Sequence, residues 1–185
     1  MTISSSPIIR EANASDLPTL LDFEQALIAY ERPFAPNLKK GKISYYDLAA
    51  YIKTEDIRVV VAEIAGELVG SGYALIKENK AYKAPQHYVY LGFMYVVPEY
   101  RGHGINGQIM NDLIDWGKAQ GYTEAQLEVY AKNESAINAY AKAGLVPEIL
   151  SMRLDNIPPE NQWYYVTKTP SALSLFNLLY CNDHF

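Results

Sequence analysis

A glycine-rich loop between a strand and a helix places the strongest constraint on how this chain can fold. The loop lies within Tyr95–Gly107, which reads YVVPEYRGHGING, and overlaps the end of Tyr88–Val97, where nearly every residue is apolar. A strand of that kind is typical of a central position covered on both faces. Downstream, apolar residues recur every three or four positions and predict a helix: Ile105, Ile109, Leu113 and Trp116. Glycines at such a turn point several backbone N–H groups at one anion, so the loop is predicted to bind phosphate.

Two nucleotide-binding motifs and a plain turn are the alternatives for this loop. Gly102, Gly104 and Gly107 match the dinucleotide fingerprint G-x-G-x-x-G, and Glu128 follows about 20 residues later. However, Pro98–Arg101 separates these glycines from the strand, and the chain after Glu128 is too short for further strand–helix units and a substrate domain. A P-loop is excluded because the last glycine is not followed by Lys and Ser or Thr. A glycine turn that only links strand and helix stays open at this point.

Hydrophobic periodicity predicts a single α/β domain for most of the chain. Apolar and β-branched runs indicate strands, and apolar residues at helical spacing indicate helices. The first helix is capped by Ser15 or Asp16 and stops before Pro33. Because strands and helices alternate in the second half, the later strands are expected to be parallel. The predicted strands cover residues 7–10, 58–64, 68–76, 88–97 and 126–130, with one or two more within 146–154, and the later helices cover 45–52, 105–121 and 133–144.

Composition and charge exclude several classes of protein. Of the 185 residues, 49% are hydrophobic and 20% are charged, with 16 basic against 21 acidic residues, so neither a disordered chain nor a polybasic nucleic-acid binder fits. The single cysteine, Cys181, rules out an intrachain disulfide and a thiolate zinc site built from this chain. The first residues lack signal-peptide features, and no apolar run approaches the roughly 18 residues of a membrane span. We therefore expect a cytoplasmic protein with no nucleic-acid or membrane partner.

Two motifs at the right separation resemble those of GNAT-superfamily N-acetyltransferases. Val96–Asn106 is similar to the family signature V-x-P-x-x-R-x-x-G-x-G/A, and Asn133–Leu145 is similar to N-x-x-A-x-x-x-Y-x-x-x-G-F. The resemblance covers about Ile8–Leu154 and implies a mixed, mostly antiparallel sheet, flanked by helices, whose central parallel strands splay apart to admit acetyl-CoA. Residues 1–154 would be the acetyltransferase domain. Residues 155–185 would form a C-terminal extension that packs on this domain or on the second subunit of a homodimer.

The same resemblance implies which residues bind the co-substrate acetyl-CoA. The backbone of Met94, Tyr95 and Val96 would pair with the pantetheine arm, and Asn133 would bond a pantetheine amide. The pyrophosphate would be held by Arg101, Gly102, His103, Gly104, Ile105 and Asn106. Asn106 departs from the family, which prefers Gly or Ala there. No metal is implied, because backbone N–H groups near Val96 can polarise the thioester carbonyl.

Chemistry at the thioester requires a base and an acid. Alkylamines have pKa values of about 10, so a base must remove a proton near neutral pH, and a departing thiolate benefits from an acid. Glu128 and Tyr140 resemble the base and acid of ribosomal-protein N-terminal alanine acetyltransferases. Tyr88–Val97 contains no acidic residue, which removes the base position of the histone-acetylating branch. The alternatives are a solvated strand carboxylate for Glu128 and an ordinary core residue for Tyr140.

The predicted function is direct transfer of an acetyl group from acetyl-CoA to a primary amine, in a ternary complex. The acceptor is a small-molecule amine or a protein N-terminus. Glu24, on the first predicted helix, either contacts a cationic substrate or lies at a solvated helix edge. The alternative functions are a catalytically silent acyl-CoA-binding or sensing module and a transferase of a larger acyl group.

Overall fold

The computed structural model describes residues 6–155 of the chain. Residues 148–155 belong to a separate unit from residues 6–147 and contain no regular secondary structure. The predicted C-terminal extension, from residue 156 onward, lies outside the described residues, so its packing stays a prediction.

One five-stranded sheet forms the framework of residues 6–147. Its strands follow the order β1 to β5, and all neighbouring pairs are antiparallel except the parallel pair β4–β5. The mixed, mostly antiparallel sheet and the parallel pairing of the later strands are therefore confirmed. The strands are β1 (Ile8–Glu11), β2 (Ile57–Ile64), β3 (Glu67–Glu78), β4 (His87–Val96) and β5 (Ala125–Gln126), and the helices are α1 (Leu17–Glu31), α2 (Leu48–Tyr51), α3 (Ile105–Ala119) and α4 (Glu134–Lys142).

Two apolar clusters cover the opposite faces of this sheet. Side chains alternate along β2, so Val59 and Val61 join one cluster while Val60 and Ala62 join the other. The cluster containing Val59 packs under α1 and α2, and the cluster containing Val60 packs under α3. Helices therefore flank the sheet on both sides, as predicted. Of the helices in the described chain, none has the length and apolar character needed to cross a bilayer.

Local sequence signals explain most of the element boundaries. The β2–β3 hairpin turns through Ala65 and Gly66, whose φ angles of 50° and 84° are typical of a two-residue type I′ turn. Asn13 and Asp16 form a capping box that opens the first helical segment, and α1 ends at Glu31, before Pro33. The hairpin and the first helix are confirmed, but the predicted cap is wrong: Asn13 caps the first helical segment, and the Asp16 side chain makes no capping bond to α1.

Two predicted strands are wrong in the described residues. The predicted strand 126–130 is reduced to β5, Ala125–Gln126, because pairing with β4 ends there. No strand occurs within 146–155, where Pro147 lacks a backbone donor and the side chains of Val146 and Ile149 are exposed.

Candidate active site

The strands β4 and β5 separate shortly after they meet. They pair only at Val89 with Ala125 and at Tyr90 with Gln126, whereas β4 continues to Val96. On its other side, β4 stays paired with β3 as far as Val96. One backbone edge of residues 91–96 therefore faces the space between the two strands, which we call the β4–β5 gap. The predicted splaying of the central parallel strands is confirmed.

A β-bulge in β4 lies at this gap. Tyr73 of β3 is opposite Gly92, but Ser71 is opposite Tyr95, so one more residue of β4 than of β3 fits between these two pairs. Phe93 adopts a positive φ of 55°, which is unusual for an aromatic residue, and its carbonyl accepts a hydrogen bond from the buried Ser71 hydroxyl at 3.3 Å. Strained backbone of this kind is held in place by the surrounding core and re-aims the end of a strand. Here it re-aims Met94–Val96, the predicted pantetheine-binding segment.

The loop after β4 ends at a helix N-terminus that no side chain caps. Gly102 and Gly104 have φ angles of 79° and 77°, and Gly104 is the N-cap of α3 without a side-chain hydrogen bond. The first α3 backbone bond runs from the Gln108 N–H to the Gly104 carbonyl, so the preceding N–H groups have no acceptor within the helix. A Cβ added at residue 102, 104 or 107 would meet no atom within 4 Å. The loop is therefore an open cradle of backbone, a geometry suited to the phosphate binding that the glycine pattern predicts.

Arg101 lies at the start of this cradle and turns back toward the protein. Its Nε donates a hydrogen bond to the Val96 carbonyl at 2.9 Å. Its guanidinium carbon lies 5.0 Å from the centre of the Tyr30 ring and 6.0 Å from that of Tyr95. These contacts tie the loop to the end of β4 and to α1.

The other predicted residues of the cradle divide into anchors and exposed groups. Ile105 is buried in the core under α3, which fixes the first turn of that helix. The Asn106 amide donates to the Met110 sulfur at 3.5 Å, so this side chain runs along α3 instead of over the helix N-terminus. The exposed His103 ring has its Nδ1 3.3 Å from the Tyr100 carbonyl. The open side of the cradle is therefore formed by backbone.

Asn133 is the N-cap of α4, and Tyr140 lies in the last turn of this helix. Asn133 is buried and its side-chain oxygen caps α4 by accepting from the Ala136 N–H at 3.2 Å. Tyr140 packs against the core under α3. Burial raises the pKa of Tyr140 to about 12, and the Glu31 carboxylate and Tyr30 add to the effect. The phenol therefore keeps its proton at neutral pH, which an acid requires.

Glu128 follows β5 and is exposed. Its carboxylate accepts a hydrogen bond from the Tyr90 hydroxyl of β4 at 3.4 Å. The pKa of Tyr90 is raised by burial and by this carboxylate. Glu128 thus contacts a partly buried tyrosine at the point where β4 and β5 stop pairing.

Glu24 is not at a solvated helix edge, because its side chain is only 1% exposed. Its carboxylate accepts from the Ser44 hydroxyl at 2.9 Å and from the backbone N–H groups of Tyr45 and Tyr46 at 2.7 and 2.9 Å. The carboxylate therefore holds the segment that precedes α2. The periodicity predicts a helix that begins at residue 45. These bonds explain why α2 begins at Leu48 instead.

The sequence reasoning missed Glu31, at the end of α1. Its carboxylate helps to raise the pKa of four tyrosines from different parts of the chain, namely Tyr45, Tyr46, Tyr90 and Tyr140. The sequence does show that the chain is rich in tyrosine, with 16 of them. No local pattern connects these tyrosines to Glu31.

A bulged strand that splays from its neighbour and leads into an uncapped helix N-terminus defines the class of protein, a CoA-dependent acetyltransferase. Residues 24–145 match the model of the Acetyltransferase (GNAT) family. The chain belongs to this family and is an acetyl-CoA-dependent N-acetyltransferase. It is 30% identical over 148 residues to the thialysine N-epsilon-acetyltransferase of Sus scrofa, covering 76% of this chain and 84% of that protein.

Solved structures have the same fold. A tetramutant of the BH1408 protein from Bacillus halodurans superposes with a TM-score of 0.71 at 22% identity, over 80% of this chain and 98% of that chain. A "predicted acetyltransferase with acetyl-CoA" from Clostridium acetobutylicum has a TM-score of 0.62 at 15% identity, over 82% and 97% of the two chains.

Proposed function

We propose that the protein transfers the acetyl group of acetyl-CoA directly to the primary amine of a small cationic molecule. The observation that carries this proposal is the position of Tyr140. Tyr140 packs against the apolar cluster that contains Val96, at the end of β4, and Ile105, at the start of α3, so its protonated phenol is on the face of the sheet that α3 covers.

The residues present fit acetyl-CoA, whose thioester supplies the activated acetyl group. A pantetheine arm needs a free strand edge, and Met94, Tyr95 and Val96 present one in the β4–β5 gap. A pyrophosphate needs N–H groups that have no acceptor within a helix and no side chain over them, and the first residues of α3, Ile105 and Asn106, offer such groups beside Gly104. Asn133 would add a side-chain bond from the start of α4.

Glu128 and Tyr140 would divide the proton transfers between them. The amine nitrogen attacks the thioester carbonyl carbon, the new C–N bond forms and the C–S bond breaks. Glu128 takes the proton that the nitrogen loses, directly or through water, and Tyr140 gives its phenolic proton to the departing sulfur. The proton on Glu128 later returns the tyrosinate to its neutral form.

The acceptor class follows from the relative and from the charge of the chain. The Sus scrofa relative is named for a terminal side-chain amine, and this chain carries a net charge of −5 that attracts cations. A small cationic amine is therefore favoured over a protein N-terminus as the acceptor.

An amine panel tests the function. The full chain is incubated with acetyl-CoA and, separately, with thialysine, lysine, diamines, monoamines and a peptide with a free N-terminus. Free thiol release and the mass of the product are measured, with Tyr140→Phe as the inactive control. We expect acetylated small amines. Acetyl-CoA binding without thiol release from any acceptor would instead indicate a sensor, and faster turnover with propionyl-CoA would indicate a transferase of a larger acyl group.

A further inference from the structure

A lysine of β3 lies beside the point where β4 and β5 separate. Tyr90 and Gln126 form the last pair between these two strands, so Tyr90 marks the closed end of the β4–β5 gap. The Lys77 Nζ lies 3.2 Å from the centre of the Tyr90 ring. An ammonium group is attracted to the face of an aromatic ring by the ring quadrupole. The Lys77 side chain therefore ends at the closed end of the gap.

The register of β3 and β4 explains why Lys77 reaches this ring. Lys77 is directly opposite Tyr88, and Leu75 is opposite Tyr90. Side chains two positions apart on a strand share one face of the sheet, so Lys77 and Tyr90 are diagonal neighbours on the same face. On that face the centre of the Tyr90 ring lies 6.4 Å from that of the buried Tyr73 ring. The ring that holds the ammonium is thus itself held by the core.

The proposed base is at the same place. The Tyr90 hydroxyl donates a hydrogen bond to the Glu128 carboxylate at 3.4 Å. One ring therefore has an ammonium group on its face and a carboxylate at its hydroxyl. Within residues 6–155, Lys77 forms no ion pair, so no carboxylate there holds its ammonium in place.

Acetyl-CoA would carry its thioester toward this closed end. The cradle for the pyrophosphate follows the end of β4 at Val96, and the proposed pantetheine edge runs from Val96 back to Met94. The six residue steps from Val96 to Tyr90 span roughly 20 Å, at about 3.3 Å each. An arm that starts at the cradle and follows this edge approaches Tyr90 with its far end, and that end carries the acetyl group.

We propose that Lys77 is a self-acetylation site. In the absence of an acceptor, the enzyme transfers the acetyl group of its own bound acetyl-CoA to the Lys77 Nζ of the same chain. A lysine side chain is a primary alkylamine on a flexible four-carbon stem, so it has both the chemistry and the reach of an acceptor. The proposal rests on the proposed function, because it uses the same base and acid.

The reaction at Lys77 balances in the same way as transfer to an external amine. The ammonium first loses one proton to water through Glu128 and becomes a neutral amine. The nitrogen then attacks the thioester carbonyl carbon, the C–N bond forms and the C–S bond breaks. Its second proton replaces the one that Tyr140 gives to the departing sulfur. The products are Nε-acetyl-Lys77, the CoA thiol and one proton in solution.

The first test locates acetyl groups by peptide mass spectrometry after the full chain is incubated with acetyl-CoA and no amine. The peptide that contains Lys77 should gain about 42 Da, one acetyl group in place of one hydrogen. Lys53, which is exposed, measures the chemical background. Lys77 should react at least about tenfold faster than Lys53, because it is held at the site. Equal rates at the two lysines would overturn the proposal.

Three variants separate an enzymatic reaction from a chemical one. Tyr140→Phe should slow acetylation of Lys77 by the same factor as acetylation of an external amine, because both use the same acid. Lys77→Arg keeps a cation for the Tyr90 ring but offers no alkylamine, so position 77 should gain no acetyl group. Lys80→Arg, on the same hairpin, should leave acetylation of Lys77 unchanged. Acetylation of Lys77 at the wild-type rate in a Tyr140→Phe protein that acetylates amines slowly would overturn the proposal.

Dilution and competition test whether the transfer occurs within one chain. The rate constant for acetylation of Lys77 should not change with protein concentration, because the amine and the bound acetyl-CoA belong to one molecule. An acceptor amine at about ten times its KM should slow this acetylation about tenfold, since it occupies the same site. A rate constant that rises in proportion to protein concentration would overturn transfer within the chain.

Self-acetylation and the proposed function fail in different ways. Acetylation of amines from the panel, with Lys77 unmodified, would overturn self-acetylation and leave the proposed function standing. Acetylation of Lys77 without acetylation of any amine in the panel would support self-acetylation and overturn the proposed acceptor class.

Discussion

The Tyr73 ring of β3 lies directly over Gly92 of β4. A Cβ built at position 92 would come within 2.5 Å of the Tyr73 ring and of its hydroxyl oxygen. Tyr73 is buried and contacts the rings of Tyr46 and Tyr51, so it has little room to move. The missing side chain at position 92 is what allows this ring to pack against Tyr46 and Tyr51 beside the β-bulge.

Gly92→Ala should therefore destabilise the protein and disturb the bulge that positions Met94–Val96. We expect a loss of about 1–3 kcal/mol in the free energy of unfolding, typical of an overpacked core. Urea denaturation measures this loss, and the KM for the amine should rise in the same variant. Gly107→Ala is the matched control, because its added Cβ meets no atom within 4 Å and alanine favours the helix. Equal midpoints for wild type and Gly92→Ala would show that Tyr73 adapts freely.

Tyr140→Phe should slow turnover and leave acetyl-CoA binding almost unchanged. The phenyl ring keeps the packing against the core but removes the proton that the leaving sulfur needs, so kcat should fall by about 10² to 10⁴. Because the pKa of Tyr140 is about 12, loss of its proton should not limit the wild-type rate until the pH approaches that value. Steady-state kinetics with Tyr122→Phe as the control, a tyrosine of the same cluster, checks the assignment. An unchanged kcat in Tyr140→Phe would show that Tyr140 is not the acid.

Glu128→Gln should move the rise of the pH–rate profile to higher pH. Without a base, only amine that is already neutral reacts, and alkylamines lose their proton at about pH 10. The profile is measured as kcat/KM against pH, beside Glu124→Gln, a carboxylate of the same segment. If the wild-type and Glu128→Gln profiles overlay, water or another residue removes the proton.

The conformation of the glycine loop could be predicted from the sequence because the signal is local. Glycine spacing, the preceding apolar strand and the helical period all lie within residues 88–121, and the structure has the strand, the uncapped helix and the open glycines there. The hairpin at Ala65 and Gly66 was predictable for the same reason. The proposed roles of the loop residues remain predictions.

Other features depend on contacts between distant parts of the chain. Residues 126–130 have a local strand pattern, but pairing ends at Gln126 because β4 and β5 separate. Glu24 lies at an apolar helix position, and only the fold shows that Ser44 and the backbone of Tyr45 take up its carboxylate. Glu31 is far in sequence from Tyr45, Tyr90 and Tyr140, whose pKa values its carboxylate raises. Hydrophobic periodicity describes one helix or strand at a time and cannot show such long-range contacts.

Protonation of the Asp16 carboxylate should make the protein less stable in acid. Arg10 donates to both carboxylate oxygens at 2.8 and 2.9 Å, and this pairing lowers the pKa of Asp16 below its ordinary value of 3.8. A group with a lowered pKa in the folded state stabilises it above the unfolded-state pKa, and this contribution disappears as the pH falls through the folded value. Asp16→Asn should lower the free energy of unfolding by about 1.5–3 kcal/mol at pH 7. The difference in this free energy between the variant and wild type should shrink below about pH 4.

Urea denaturation at several pH values measures this difference. Asp115→Asn is the matched control, because Asp115 forms an exposed ion pair with Lys118 at 3.1 Å that should contribute little. A loss in Asp16→Asn that stays constant from pH 7 to pH 3 would show that the carboxylate charge is not its source.

Acetyl-CoA affinity should depend more on Arg101 than on Asn106. The family prefers Gly or Ala at position 106, yet the Asn106 amide turns along α3 to the Met110 sulfur and leaves the helix N-terminus open. Asn106→Gly should therefore change the binding free energy by less than about 1 kcal/mol. Arg101→Ala removes the bond to the Val96 carbonyl and the contact with Tyr30, which hold the loop against β4 and α1, and it also removes a positive charge near the phosphates.

Titration calorimetry of wild type and the two variants with acetyl-CoA distinguishes these effects. We expect wild type and Asn106→Gly to bind alike and Arg101→Ala to bind at least about tenfold more weakly, the equivalent of roughly 1.4 kcal/mol. If wild type failed to bind while Asn106→Gly bound well, the asparagine would be blocking the cradle. Equal binding by all three proteins would mean that the backbone N–H groups at the start of α3 suffice to hold the pyrophosphate.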